Sequence, residues 1–100
     1  MNKNWRYPLS TLAGFRKNGR LWVNKHIPES LTIGKKRINP RAKLRKHERA
    51  EHTRMKKGVP YREAHQIALK DEHRGMTQHQ IFVYEGHNGA VARWHPERRK

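Results

Sequence analysis

The chain has 100 residues, of which 33% are hydrophobic, and a mean hydropathy of -1.22, so it has room for one small domain with a thin core and none for a separate catalytic domain. Its 24 Lys and Arg against 8 Asp and Glu give a formal charge of +16, which makes a polyanion, nucleic acid first, the default partner. Cysteine is absent, which excludes disulfides and cysteine-based zinc ribbons; no apolar run reaches the roughly 20 residues of a membrane span, and residues 1–7 lack a signal-peptide core, so a cytoplasmic protein without a membrane partner is expected.

In chain order, residues 1–19 scatter Trp5, Tyr7, Leu9, Leu12 and Phe15 among Asn, Gly and Lys with no sustained period, and read as an irregular basic arm. Residues 20–27, including Leu21, Trp22, Val23 and Ile27, are rich in strand formers and end at Pro28, which predicts a strand. Leu31-Thr32-Ile33, then Gly34-Lys35-Lys36 and Arg37-Ile38, could form a second strand or hairpin. Asn39-Pro40 is a helix start, with Asn as N-cap and Pro in the first turn, and Gly58 is a stop, giving a helix over 40–57. Pro60 opens a second helix over 60–74, with Tyr61, Ala64, His65, Ala68, Leu69 and Glu72 on one face. The joint Gly58-Val59-Pro60 is short enough to make the two helices neighbours. Gln80-Ile81-Phe82-Val83-Tyr84-Glu85 and Ala90-Val91-Ala92-Arg93-Trp94-His95 flank Asn88-Gly89, a favoured type I′ pair, and predict a β-hairpin. Residues 96–100 read as a loose basic tail. The expected architecture is α+β in a single domain over 1–100: a central helical pair, a short N-terminal strand or hairpin and a C-terminal β-hairpin.

Chemistry concentrates on the helical pair. Residues 47–75 hold five of the eight acidic residues, while residues 1–46 hold 13 of the 24 basic ones and a single acid. On the first helix Leu44, His47, Glu48, Glu51 and Met55 form one stripe, so its inward face is half ionizable, and burying such groups unpaired costs several kcal/mol. The second helix offers His65 and Glu72 on its own inward stripe. A metal, zinc first and iron or manganese as alternatives, explains the pattern: His47 and Glu51 chelate from one helix, His65 supplies a third ligand, and Glu48 is the general base, as in H-E-x-x-H sites. Glu72 and His52 are candidates for the outer shell of that site. The competing reading is a hydrogen-bonded and ion-paired network between the helices, or a solvated charge-rich pair.

Ile27-Pro28, Ile38-Asn39-Pro40, Leu44, His47-Glu48, Glu51, Gly58, Tyr61, Ala64-His65, Ala68 and Glu72 together resemble the pattern of small bacteriophage and prophage proteins that are similar to minimal zincins. The resemblance covers about half of the chain. It implies a metal-binding protein, and a hydrolase if the zincin likeness extends to chemistry. The basic arm, His52 and the C-terminal hairpin fall outside the pattern.

Other features invite over-reading. His52 lies about 100° round the helix from Glu51, which favours solvent or an outer-shell position. His73, His79, His87 and His95 are spread over positions where exposed histidines are usual, and His87-Asn88 with His95 lacks the helix that an HNH nuclease needs after its hairpin. Trp5, Trp22, Phe82, Tyr84 and Trp94 could stack on bases, but so apolar-poor a chain needs them in its core. Lys35, Lys36, Arg37, Arg41, Lys43, Arg45 and Lys46 form the densest basic runs, and at a helix start they oppose the macrodipole unless anions neutralise them. Two functions follow: a zincin-like metal-binding protein, or a non-enzymatic nucleic-acid-binding protein whose His/Glu cluster is structural.

Overall fold

The computed structural model describes residues 12–96, and most of the expected N-terminal arm and the tail beyond Pro96 lie outside the described residues. Within them the architecture is α+β: two small antiparallel hairpins followed by three helices. Strands β1 (Ala13–Phe15) and β2 (Leu21–Val23) pair in the register Ala13↔Val23, Gly14↔Trp22 and Phe15↔Leu21. The arm expected to be irregular up to residue 19 therefore contains a strand, and a three-residue partner was too short to leave a period in the sequence. Strands β3 (Leu31–Ile33) and β4 (Lys36–Ile38) form the second hairpin around Gly34, whose φ of +64° is the left-handed geometry that glycine adopts without strain.

Helix α1 (Pro40–Lys56) begins as its sequence predicts: the Asn39 side chain accepts from the Ala42 N–H at 3.0 Å, and Pro40 occupies the first turn. It ends in a Schellman arrangement. Gly58 stands at φ +94°, its N–H donates to the Met55 carbonyl, and the Val59 N–H reaches back to the Arg54 carbonyl. This short turn lays helix α2 (Tyr61–Glu72) along α1, the principal helix contact of the fold, while the other side of α1 meets β1 and β2. Leu44 of α1 buries with Leu12, Ala13, Val23 and Ile27 and with Val91 and Ala92 from the last helix.

The C-terminal β-hairpin expected over 80–95 is not formed: Gln78–Trp94 is one helix, α3, and Asn88-Gly89 lies inside it. Its start is a capping box, in which the Thr77 hydroxyl accepts from the Gln80 N–H at 3.1 Å and the Gln80 side chain accepts from the Thr77 N–H at 2.8 Å. Its buried residues, Tyr84, Asn88, Val91 and Ala92, follow helical spacing, so burial of this stripe outweighs the strand propensity of Ile81, Phe82, Val83 and Tyr84. Tyr84 packs with Ile33 and Ile38, which ties α3 to the second hairpin.

The aromatics divide accordingly. Trp22 and Tyr84 are buried as expected, whereas Phe82 at 78% and Trp94 at 70% exposure are not core residues, because a helix turns their side chains outward where a strand pairing would have covered them. Trp5 lies outside the described residues. Met55 and Tyr61, assigned to inward faces, are also exposed, at 44% and 50%, at the helix ends that flank the turn.

The helical form of this region has a direct consequence. Gly86 is exposed in α3, and an added Cβ would meet nothing within 4 Å. Gly86→Ala should stabilise the protein by about 0.5–1 kcal/mol, raising Tm by a few degrees in a thermal melt. A lower Tm would count against the helix.

Candidate metal centre

Helices α1 and α2 bring His47, Glu51 and His65 together. His47 is 2% exposed, Glu51 is buried, and His65 lies at the edge. His47 Nε2 stands 3.2 Å from Glu51 Oε2 and 3.2 Å from His65 Nδ1, and His65 Nδ1 is 2.7 Å from the same Glu51 oxygen. One nitrogen from each imidazole and one carboxylate oxygen thus form a closed triangle. The edge of a tetrahedral site with metal–ligand bonds of about 2.0–2.1 Å is about 3.3 Å, close to two of these separations, so the donor set fits a small divalent cation.

Protons alone leave one edge of the triangle unfilled. A ring nitrogen carries one proton and directs it along one line, so two imidazole N–H groups can fill at most two of the three edges. If both donate to Glu51, two N–H groups face each other across 3.2 Å; if one lone pair accepts, it confronts the carboxylate or its neighbour. A cation at the centre would accept all three lone pairs together.

The opposite side of His47 is equally defined. Its Nδ1 lies 2.6 Å from Glu72 Oε1, and the Tyr84 hydroxyl of α3 donates to Glu72 Oε2 at 2.5 Å. Glu72 and Tyr84 are both buried. A carboxylate on the non-ligating nitrogen is the usual partner of a metal-bound imidazole, because it fixes the ring's tautomer and orientation.

The electrostatics follow from this packing. Burial works to lower the pKa of His47, but hydrogen bonding to Glu51 and Glu72, with their negative charge, outweighs it and raises the value to about 10. Burial works to raise that of Glu51, yet the hydrogen bonds and charge of His47 and His65 bring it down to about 2. Burial, the Glu72 charge and the hydrogen bond to Glu72 push the Tyr84 phenol upward, against a smaller opposing effect of Asn88, so Tyr84 remains a donor.

Glu48, the expected base, is buried on α1 next to His47. Tyr61 stacks on His65 with ring centroids 5.4 Å apart, and its phenol is shifted upward by burial and by the charges of Glu51 and Glu48. His52 turns elsewhere: it is exposed and its ring stacks on Phe15 of β1, 4.3 Å between centroids. Glu72, His73 and Glu85 make a second group in which His73 Nε2 and Glu85 Oε2 are 2.5 Å apart. His73, one of the scattered histidines of the sequence, meets Glu85 because residue 85 lies on a helix rather than a strand.

The basic residues separate into two kinds. Arg41 donates to the carbonyls of Asn24 and Ile27 at 2.9 and 3.1 Å, and Lys43 donates to the Glu72 carbonyl at 3.1 Å, so both clamp the fold. Lys35, Lys36, Arg37, Arg45 and Lys46 are exposed, although Lys36 also reaches the Gly75 carbonyl at 2.9 Å. Burial lowers the pKa of Lys43 against the pull of the Glu72 charge, with smaller lowering effects from Lys36 and Lys46.

Among the described residues no helix is long and apolar enough to cross a membrane. No protein-family model matches the chain, and no curated protein or solved structure matches it significantly, so its function has to be argued from the cluster itself.

Proposed function

We propose that the chain is a zincin-like metal-binding protein of bacteriophage type, acting in the bacterial cytoplasm, in which His47, Glu51 and His65 hold one zinc ion. The supporting observation is the triangle of His47 Nε2, Glu51 Oε2 and His65 Nδ1, with separations of 2.7–3.2 Å, of which two imidazole protons fill only two and leave the nitrogen–nitrogen edge bare. Mixed imidazole and carboxylate ligation suits zinc, and three protein ligands leave one position for water or substrate. The bound ion would supply Lewis acidity and make water acidic enough to attack near neutral pH. The chain's own contribution to hydrolysis would then be Glu48, the residue after His47 on α1, as base for the water, and Tyr61, stacked on His65, whose raised pKa keeps its hydroxyl a donor for substrate.

Elemental analysis of untagged protein purified without chelators tests the site. About one equivalent of zinc is expected in the wild type and almost none in His47→Ala or His65→Ala. Unchanged metal content in both variants, or none in the wild type, would refute it.

A second reading, which the first does not exclude, is nucleic-acid binding through Lys35, Lys36, Arg37, Arg45 and Lys46. Their common exposure favours it, because five solvent-exposed cations in two short runs can neutralise phosphates. Binding to duplex DNA should weaken steeply with salt, and Arg45→Glu with Lys46→Glu should lower both the affinity and the slope of log K against log salt, by about two charges' worth. A slope that the double variant leaves unchanged would remove these two residues from the interface.

A further inference from the structure

Helix α3 lies outside the triangle, yet it is joined to it by one continuous line of short hydrogen bonds. Tyr84 Oη donates to Glu72 Oε2 at 2.5 Å, Glu72 Oε1 lies 2.6 Å from His47 Nδ1, and His47 Nε2 belongs to the triangle. The line crosses three helices, and Tyr84, Glu72 and His47 are all at most 2% exposed. We propose that Tyr84 is a positioning residue for the metal site: by engaging one oxygen of Glu72 it fixes the other on His47 Nδ1, holding the imidazole as the Nδ1–H form with its Nε2 lone pair directed at the ion. This inference rests on the metal-binding reading.

The geometry makes the phenol's role specific. Glu72 belongs to α2 and could turn about its last side-chain bonds, and a buried carboxylate with a single donor gains by moving toward any other. Two other donors are within reach. His73, which pairs with Glu85, has a ring nitrogen within 4.8 Å of a Glu72 carboxylate oxygen, and Lys43 already sits over the Glu72 carbonyl. The Tyr84 hydroxyl removes that freedom by a charge-assisted O–H···O⁻ bond. Its own direction is set in turn by packing of the ring with Ile33 and Ile38. Losing the phenolic oxygen alone leaves the ring's packing in place and frees the carboxylate.

The test is zinc affinity, measured on the full chain by competition with a chromophoric chelator, for the wild type, Tyr84→Phe and Val91→Ala. Val91 is buried on the same helix but in the other apolar cluster, so it reports a general loosening of α3. Tyr84→Phe should weaken zinc binding about tenfold, the lower end for outer-shell partners of a metal ligand, while Val91→Ala stays within about twofold. In the zinc-loaded wild type, ¹⁵N-resolved spectra should show His47 with a slowly exchanging Nδ1 proton, and Tyr84→Phe should speed that exchange. Wild-type affinity in Tyr84→Phe, or equal losses in Tyr84→Phe and Val91→Ala, would overturn this role and leave the site standing. Absence of zinc binding by the wild type would overturn the metal reading and this inference with it.

Discussion

Replacing Glu72 with Ala is expected to destabilise the protein by about 3–5 kcal/mol, because it strips the partner from two buried groups at once. His47 loses the acceptor at Nδ1 and Tyr84 loses the acceptor of its hydroxyl, and burial allows water to replace neither. Against the 5–15 kcal/mol of a typical domain, and the lower end for so thin a core, such a loss leaves little net stability at room temperature. Glu72→Gln keeps the shape, an acceptor for His47 and a polar partner for Tyr84, and should cost less than half as much. Urea unfolding followed by circular dichroism compares the two. A cost below about 1 kcal/mol for Glu72→Ala would mean that the line from Tyr84 to His47 carries no structural weight. The Lys43 contact is to the Glu72 backbone carbonyl, so it survives in both variants and does not confuse the comparison.

The triangle was legible in the sequence because helices broadcast their faces. His47 and Glu51 are one turn apart, Gly58 and Pro60 mark a tight reversal, and His65 falls on the side of α2 that such a reversal turns toward α1. Glu72 was legible for the same reason, two turns further along. Tyr84 was not, since its role requires α3, and the stretch from Ile81 to Glu85 has the composition of a strand next to an Asn-Gly pair that usually makes a turn. The signal that could have decided otherwise is local: Thr77 three residues ahead of Gln80 is a capping box, and Tyr84, Asn88 and Val91 repeat at helical spacing. A favoured dipeptide fixes two residues, whereas a cap and a buried stripe act over a whole element, so the stripe prevails when the two conflict. The β1 strand was missed for the opposite reason, because three residues are too few for either period. The basic runs were read as one class, and only the folded chain separates Arg41 and Lys43, used internally, from the exposed remainder.

Metal and proton compete for His47 Nε2, and this gives the two readings of the cluster different dependences on pH. In the metal-free protein, His47 has a folded pKa of about 10 against an ordinary value of 6.5, so its contribution is complete below about pH 6.5 and is lost as pH rises through 10. Glu51, lowered to about 2 from an ordinary 4.5, contributes above about pH 4.5 and loses its share as pH falls toward 2. The two share the His47–Glu51 contact, with Glu72 acting on His47 and His65 on Glu51 as well, and the cluster's contribution to the metal-free protein is greatest between about pH 4.5 and 6.5. Above it, stability should fall by up to about 1.4 kcal/mol per pH unit, the slope for release of one proton. Zinc cancels this slope. Its binding requires the Nε2 lone pair, expels that proton, and tightens as pH rises, so excess zinc should add stability where the metal-free protein is losing it. Thermal melts at several pH values between about 6.5 and 8.5, with a chelator or with excess zinc, give the comparison: Tm falls with pH in the first series and holds or rises in the second. Parallel declines would mean that zinc does not reach His47 Nε2, and the cluster would then be an ion-paired network that joins α1 to α2. A divergence that disappears in His47→Ala would locate the competition at this one nitrogen.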